Sequence, residues 1–341
     1  MKAVGARRFL PIENPLALED VETKKPELSR PHDLLVEVLA CAVNPVDTKL
    51  RKNLGETLRE VPVILGMDAA GRVCEVGSDV RNFAVGDRVF YAGDLGRSGS
   101  NAEYHLVDSR LVAKIPHGLS FADAAALPVA TLTAWELLFE RMRIDANGKD
   151  VGKKILVING AGGVGSALIP LAKLAGLEVI ATASREVTQA WCTQLGASCV
   201  LNHRDDLHQA LLAHGLEKFP YIVNLYNTDA YWSLTSEWIA PMGTLGLIVE
   251  PSCPLHIGDP LKAKCVTIAW EFMAARARFQ LPDMARQGRI LTDIAQLSAA
   301  GKFPSISTRH FDGICAENLR TCHAAMENGS AHGKWVLEKI S

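Results

Sequence analysis

No Cys-x-x-Cys pair occurs in this chain, which removes the usual signature of a thiol redox motif or a zinc clamp. The eight cysteines (Cys41, Cys74, Cys192, Cys199, Cys253, Cys265, Cys315 and Cys322) are scattered over 341 residues. They read as small buried hydrophobes rather than as a disulfide frame. There is no run of about 18 apolar residues, so no membrane-spanning helix is expected. The opening stretch MKAVGARRFLPIENP lacks the apolar core of a secretory leader, and a cytoplasmic location is the expectation. Neither sign of charge dominates: 36 Lys and Arg face 38 Asp and Glu, a net charge of −2. That argues against a nucleic-acid footprint and against an anionic membrane surface. Internal repeats and low-complexity tracts are also missing.

What remains is a globular composition, 48% hydrophobic and 22% charged. Its length exceeds what one ordinary core fills, so two domains are expected. In the middle, KKILVIN (153–159) is a short, β-branched, nearly continuous apolar run, the pattern of a parallel strand covered on both faces. SALIPLAKLAG (166–176) reads as a helix closed by Gly176, with Pro170 placed in its first turns where a missing N–H is tolerated. EVIATAS (178–184) is a second strand and REVTQAWCTQLG (185–196) a second helix. SCVLN (198–202), YIVNLYN (221–227) and GTLGLIVE (243–250) continue the strands, with helices over 205–214 and 229–240 between them. This alternation predicts a doubly wound parallel sheet.

Between the first strand and first helix stands NGAGGVGS. Gly160, Gly162 and Gly165 have the G-x-G-x-x-G spacing, and the flanking Ala161, Gly163 and Val164 complete the turn. After a strand and before a helix, that spacing marks a dinucleotide site. Gly160 permits the tight turn, Gly162 lets the backbone approach a pyrophosphate, and Gly165 lets helix and strand pack closely. Free N–H groups and the helix dipole hold the anion. An acidic residue at the end of the second strand would favour NAD. Here the stretch is TASRE, so Ser184 and Arg185 are the candidates, and Arg185 suits a 2′-phosphate. Charge-assisted bonds of about 1.5–3 kcal/mol would prefer NADP over NAD roughly tenfold to a hundredfold. Were Glu186 to face the ribose instead, the preference would reverse.

The flanks differ. LLVEVLACAVN (34–44), GRVCEVGS (71–78), GDRVFYAG (86–93) and AEYHLVDSRLVAKIP (102–116) are short apolar runs punctuated by turns, predicting a small β-barrel. Residues 121–144 read as helical segments leading into the middle. Beyond about residue 270 come helices and a last strand, so the tail is expected to rejoin the front.

The order GMDAAGRVCEVGSDV, VGDRVF, AEYHLVD, AAALPVATLTAWELL, GAGGVGS and GKWVLE resembles the medium-chain dehydrogenase/reductase superfamily over essentially the whole chain. Within it the look is to the quinone-oxidoreductase branch and the zinc-type alcohol dehydrogenase-like group. The resemblance implies an α/β protein: a GroES-like β-barrel from residues 1–125 and 271–341, and a Rossmann NADP-binding domain over 126–270. It also implies that Asn44 and Asp47 of NPVD lie beside the nicotinamide, with Asn44 a donor to an acceptor oxygen and Asp47 organising the loop. Thr131 matches a position near the nicotinamide and His203 one near the adenosine. Tyr91 is a candidate proton donor if it faces the substrate. Some relatives carry a tyrosine where Gly55 stands here, and a lysine for the 2′-phosphate where Thr188 stands.

The resemblance also supplies a test for metal. The zinc ligands of relatives correspond to Asn44, Asp68 and Val129, of which only Asp68 is a ligand type, and the four-cysteine lobe is absent from 91–104. Zinc needs three or four N, S or O donors, so no metal is expected. Without a Lewis acid, simple alcohol oxidation is hard, whereas a conjugated acceptor spreads the charge left by hydride. The expected function is therefore NADPH-dependent reduction of a quinone or an α,β-unsaturated carbonyl. Two alternatives stay open: a zinc-type alcohol dehydrogenase acting on alcohols or aldehydes, and a low-turnover NADPH-binding sensor or structural protein. The strand CVTIAWEFM (265–273) offers an edge for a homodimer, with Trp270 and Glu271 beside the substrate.

Overall fold

The computed structural model describes residues 1–145 and 148–339. The expected spans that reach 146–147 and 340–341 extend, at those points, outside the described residues. The chain divides into two units. One comprises Met1–Leu132 and the stretch from Ala274 onward, and the other Thr133–Met273. The expectation put these divisions at 125/126 and 270/271. The helix Pro128–Trp135 runs through the first division, which is why no turn signal marked it.

In the second unit, six strands form one parallel sheet in the order Cys199–Leu201, Glu178–Thr182, Lys154–Ile158, Phe219–Asn224, Ile239–Leu247, Thr267–Trp270. Numbered along the sequence, that is 3-2-1-4-5-6, the order of a doubly wound dinucleotide fold. Leu156, Ile158, Ile180, Ile222, Leu245 and Leu247 are among the fully buried core residues. Each such side chain contributes about 1.5–3 kcal/mol on burial. The helices Gly163–Leu174, Glu186–Leu195, Leu207–Ala213 and Thr228–Trp238 alternate with the strands. Gly196 closes the second of them at φ 111°, a conformation that only glycine adopts without strain.

Two details differ from the sequence reading. The first helix begins at Gly163, so Pro170 lies well inside it rather than in its first turns. The proline removes one i→i−4 bond there, in a helix whose residues 165–172 are all buried. The fifth strand begins at Ile239, not at 243, and runs through Pro241-Met242-Gly243. Met242 accommodates this with φ 60° and an N–H that donates to the Lys264 carbonyl.

The first unit is β-rich. The strands Asp33–Ala42, Asp68–Val76, Arg88–Ala92, Tyr104–Asp108, Val112–Lys114, Ser307–Asp312 and Lys334–Glu338 form one sheet, around a core that includes Leu34, Val36, Val38, Val73, Val89, Tyr91 and Leu337. The tail rejoins the front within this unit: Val336, Leu337 and Glu338 pair with Ala42, Cys41 and Ala40. Ser307–Asp312, which the sequence reading did not separate from the tail helices, pairs in parallel with that last strand. A second small sheet joins Lys2–Ala6 to Glu19–Glu22 and Val63–Ile64. No helix among the described residues is long and apolar enough to cross a membrane.

Candidate active site

The glycine turn lies where the strand Lys154–Ile158 hands over to the helix Gly163–Leu174. A Cβ on Gly165 would stand 2.4 Å from the Gly160 carbonyl oxygen, so helix and turn approach to a distance that only glycine allows. Gly160 is hemmed in by Ala181, Cys192 and Ile169. Gly162 is the N-cap and offers no side-chain cap. The first-turn N–H groups of Gly163, Val164 and Gly165 therefore lack the capping acceptor that most helices carry. With Ala161, these residues form a cradle that fits a pyrophosphate at the positive end of the helix dipole.

The second strand ends at Thr182, whose hydroxyl ties the site together. It accepts from the Asn159 N–H at 3.0 Å and lies 3.2 Å from His203 Nδ1. Burial lowers the pKa of His203, with Arg204 adding to the effect, so the ring is neutral at pH 7. Ser184 and Arg185 follow, both half-exposed, and Glu186 is exposed as the first residue of the next helix. Arg185 is the N-cap of that helix. Its N–H donates to Thr188 Oγ1 at 3.1 Å, and the Thr188 hydroxyl donates back to the Arg185 carbonyl at 2.8 Å. Thr188, standing where relatives carry a lysine, thus fixes the Arg185 backbone.

The first unit contains a separate, fully buried polar cluster. Asn44 caps the helix Pro45–Lys52, and its N–H donates to Asp47 Oδ2 at 2.8 Å. The Asn44 carboxamide donates from Nδ2 to Asp68 Oδ2 at 2.8 Å, with a longer contact of 3.4 Å to the Ala42 carbonyl. Lys334, 1% exposed, donates from Nζ to Asn44 Oδ1 at 2.5 Å, Asp68 Oδ2 at 2.7 Å and the Val43 carbonyl at 3.1 Å. The Val129 N–H donates to Asp68 Oδ1 at 2.8 Å. Asp47 Oδ1 is buried without a hydrogen-bond partner. Burial, reinforced by the nearby Asp68 charge, pushes the Asp47 carboxyl up to about 7, against the Asn44 N–H and Lys334, which lower it.

The structure brings Asn44 and Asp47 together and adds Asp68 and Lys334 to them. Lys334 was missed as a site residue. Its one sequence signal is a charged residue placed directly after a glycine and ahead of the apolar run Trp335–Leu337. Tyr91 lies elsewhere: it belongs to the barrel core, has no exposed surface, and its hydroxyl meets His105 Nδ1 at 3.1 Å. Desolvation pushes its pKa up. Its side chain thus faces the barrel interior, contrary to the condition under which it would serve as a proton donor. Thr131 is fully buried and donates to the Leu127 carbonyl at 2.8 Å, a helix back-bond.

The fold implies a zinc ion, and the side chains here do not fit one. Zinc needs lone pairs from three or four donors. Asp68 and Asn44 Oδ1 already accept hydrogen bonds, and a lysine ammonium faces both. Among the described residues, no group of three or more His, Cys, Asp or Glu side chains comes together to hold a metal ion.

Residues 30–117 match the alcohol dehydrogenase GroES-like domain, and residues 163–275 the zinc-binding dehydrogenase family. A zinc-type alcohol dehydrogenase-like protein of Staphylococcus aureus is 40% identical over 338 residues, which is 99% of both chains. A putative zinc-dependent alcohol dehydrogenase of Rhizobium etli CFN 42 superposes with a TM-score of 0.92 at 42% identity, covering 100% of this chain and 98% of that one. The quinone oxidoreductase of Coxiella burnetii superposes with a TM-score of 0.80 at 27% identity, covering 99% of each.

Proposed function

The chain belongs to the medium-chain dehydrogenase/reductase superfamily, among the zinc-type alcohol dehydrogenase-like proteins, and from that premise we propose that this oxidoreductase uses NADPH without zinc to reduce a quinone or an α,β-unsaturated carbonyl. The observation that carries the reading is the buried hydrogen-bond network of Asn44, Asp68 and Lys334, in which an ammonium already sits against the oxygens that a Lewis acid would need. Without that assistance, a saturated alcohol gives up hydride only at a steep cost. A conjugated acceptor needs less help, because the π system carries the charge.

When bound, reduced nicotinamide supplies the hydride. The chain's part is to hold and orient. Gly160, Ala161, Gly162, Gly163, Val164 and Gly165 would grip the pyrophosphate, Ser184 and Arg185 the ribose 2′-phosphate, and His203 the adenosine. The second Asn44 N–H, engaged only by the long contact to Ala42, is the donor left for an acceptor oxygen. Asp47 keeps the Asn44 backbone in place through its 2.8 Å bond. With Tyr91 committed to His105, the proton that follows hydride comes from water.

NADPH oxidation measured against 9,10-phenanthrenequinone, simple enones and aldehydes, with and without a chelator, tests the proposal. Turnover of a quinone or enone, indifferent to chelation, is the expected result. Turnover of aldehydes alone, abolished by the chelator, would establish the zinc dehydrogenase instead. Tight NADPH binding with no turnover of any acceptor would favour the sensor or structural role.

A further inference from the structure

We propose that the Lys334 ammonium is the resident cation of the Asn44–Asp68 cluster, standing in charge and in contacts where a divalent ion would otherwise bind, so that the site is built to refuse metal. The inference rests on the zinc-free part of the reading above and is independent of which acceptor is reduced.

Three observations carry it. The first is geometric. Lys334 Nζ reaches three oxygens at once, Asn44 Oδ1 at 2.5 Å, Asp68 Oδ2 at 2.7 Å and the Val43 carbonyl at 3.1 Å. An ammonium has three donors, and here each has an acceptor. A small cation placed among these oxygens would need the same lone pairs.

The second is charge. Asp68 and Lys334 are 0% and 1% exposed, and together they are neutral. The other groups that face them are Asp47, whose carboxyl is pushed up to about 7, and the Cys41 thiol, which burial and the neighbouring carboxylates hold protonated. Buried charge persists only when it is paired. With the lysine in place, the Asp68 carboxylate already has its counter-ion at 2.7 Å. Without it, the buried Asp68 carboxylate would lose its counter-ion, and Asn44 Oδ1 and the Val43 carbonyl would lose their ammonium donor.

The third is how the backbone aims the side chain. Gly333 has φ 57°, and a Cβ there would stand 2.3 Å from Thr308 Cγ2 and 2.8 Å from the Ile306 carbonyl oxygen. The Lys334 N–H donates to that same carbonyl at 2.8 Å. The glycine turn thus sets the start of the last strand and points its first side chain inward, into a position that a lysine rarely occupies.

The test needs neither NADPH nor an acceptor. Purified wild-type protein, Asp68→Asn, Lys334→Met and the double variant Lys334→Met/Asp68→Asn are dialysed against Zn²⁺ and against Mn²⁺, and bound metal and thermal midpoint are measured. Wild type is expected to retain no stoichiometric metal. Lys334→Met is expected to gain at least tenfold in affinity for one of the two ions, with a metal-dependent rise in its midpoint. The double variant, with the unpaired carboxylate neutralised, is expected to fold better than Lys334→Met without metal and to lose the gained affinity. One equivalent of Zn²⁺ retained by wild type and lost in Asp68→Asn overturns the proposal. So does a folded Lys334→Met that binds no more metal than wild type. If Lys334→Met folds only with added metal, the proposal stands. If it does not fold even then, the wild-type and Asp68→Asn arms decide it. A failed acceptor screen would leave this outcome untouched, so the two readings fall separately.

Discussion

At the scale of one side chain, the proposed preference for NADPH rests on Arg185. This residue stands three residues past the end of the second strand at Thr182, in the region from which the ribose is read in this fold. The nearby Glu186 is exposed and opens the helix, where an acidic side chain favours the dipole whatever the coenzyme. The two residues therefore make opposite demands on a 2′-phosphate. If Arg185 pairs with the phosphate, Arg185→Ala will weaken NADPH by roughly tenfold to a hundredfold and leave NADH nearly unchanged. Binding titrations with both coenzymes check this. Equal losses for the two would remove the phosphate assignment. The Thr188 hydroxyl, which bonds both the N–H and the carbonyl of Arg185, makes Ala the cleaner probe at 185, because those backbone bonds remain.

At the scale of elements, the buried parallel strands were legible, because a strand covered on both faces must be apolar throughout. Lys154–Ile158 and Glu178–Thr182 lie inside the spans read from KKILVIN and EVIATAS. The glycine turn was legible for a similar reason, since close approach admits no other residue. The start of Ile239–Leu247 was not, because Pro241 and Gly243 carry turn chemistry that the sheet overrides. Ser307–Asp312, with no buried residue and rich in polar ones, has no apolar rhythm to betray it. In the site, Asn44 and Asp47 were legible as neighbours in sequence. Lys334 was not, because its partners lie 266 and 290 residues away. The edge strand Thr267–Trp270 is the element that makes a testable demand. It pairs only with Ile239–Leu247 among the described residues, and Trp270 is 45% exposed. An open ladder with an apolar flank invites a second copy, and we propose that it forms the homodimer. Sedimentation equilibrium is expected to give twice the 36.9 kDa chain mass. Lysines at 267 and 270 (Thr267→Lys with Trp270→Lys) should return the monomer, since edge charge blocks pairing. A wild-type monomer would dispose of the idea.

For the whole molecule, buried titratable groups set how stability varies with pH, and they pull in opposite directions. His323 is fully buried with neither ring nitrogen bonded. Burial, aided by Arg51, lowers its pKa from 6.5 to about 3. His105 is lowered to about 4 by burial. Between those values and 6.5 the unfolded chain binds protons that the native one refuses, so these groups make stability rise with pH. Asp47, raised from 3.8 to about 7 by burial, does the reverse: the native state keeps its proton while the unfolded chain has lost it, and stability falls as pH rises. Burial and Glu136 likewise push Glu271 up, against Arg141. From about pH 4 to 6.5 the slopes oppose one another, each at most about 1.4 kcal/mol per pH unit. Above 6.5 only the carboxylates still act, and below 4 chiefly the histidines. His323→Leu replaces an unbonded ring with an apolar group and removes one histidine slope. Denaturant unfolding at pH 4.5 and pH 7 should show the variant gaining on wild type by about 2–3 kcal/mol at the lower pH. An identical pH dependence in the two proteins would mean that His323 takes up its proton in the native state, and that its burial is relieved by a motion of the helix Ala316–Glu327 rather than by unfolding.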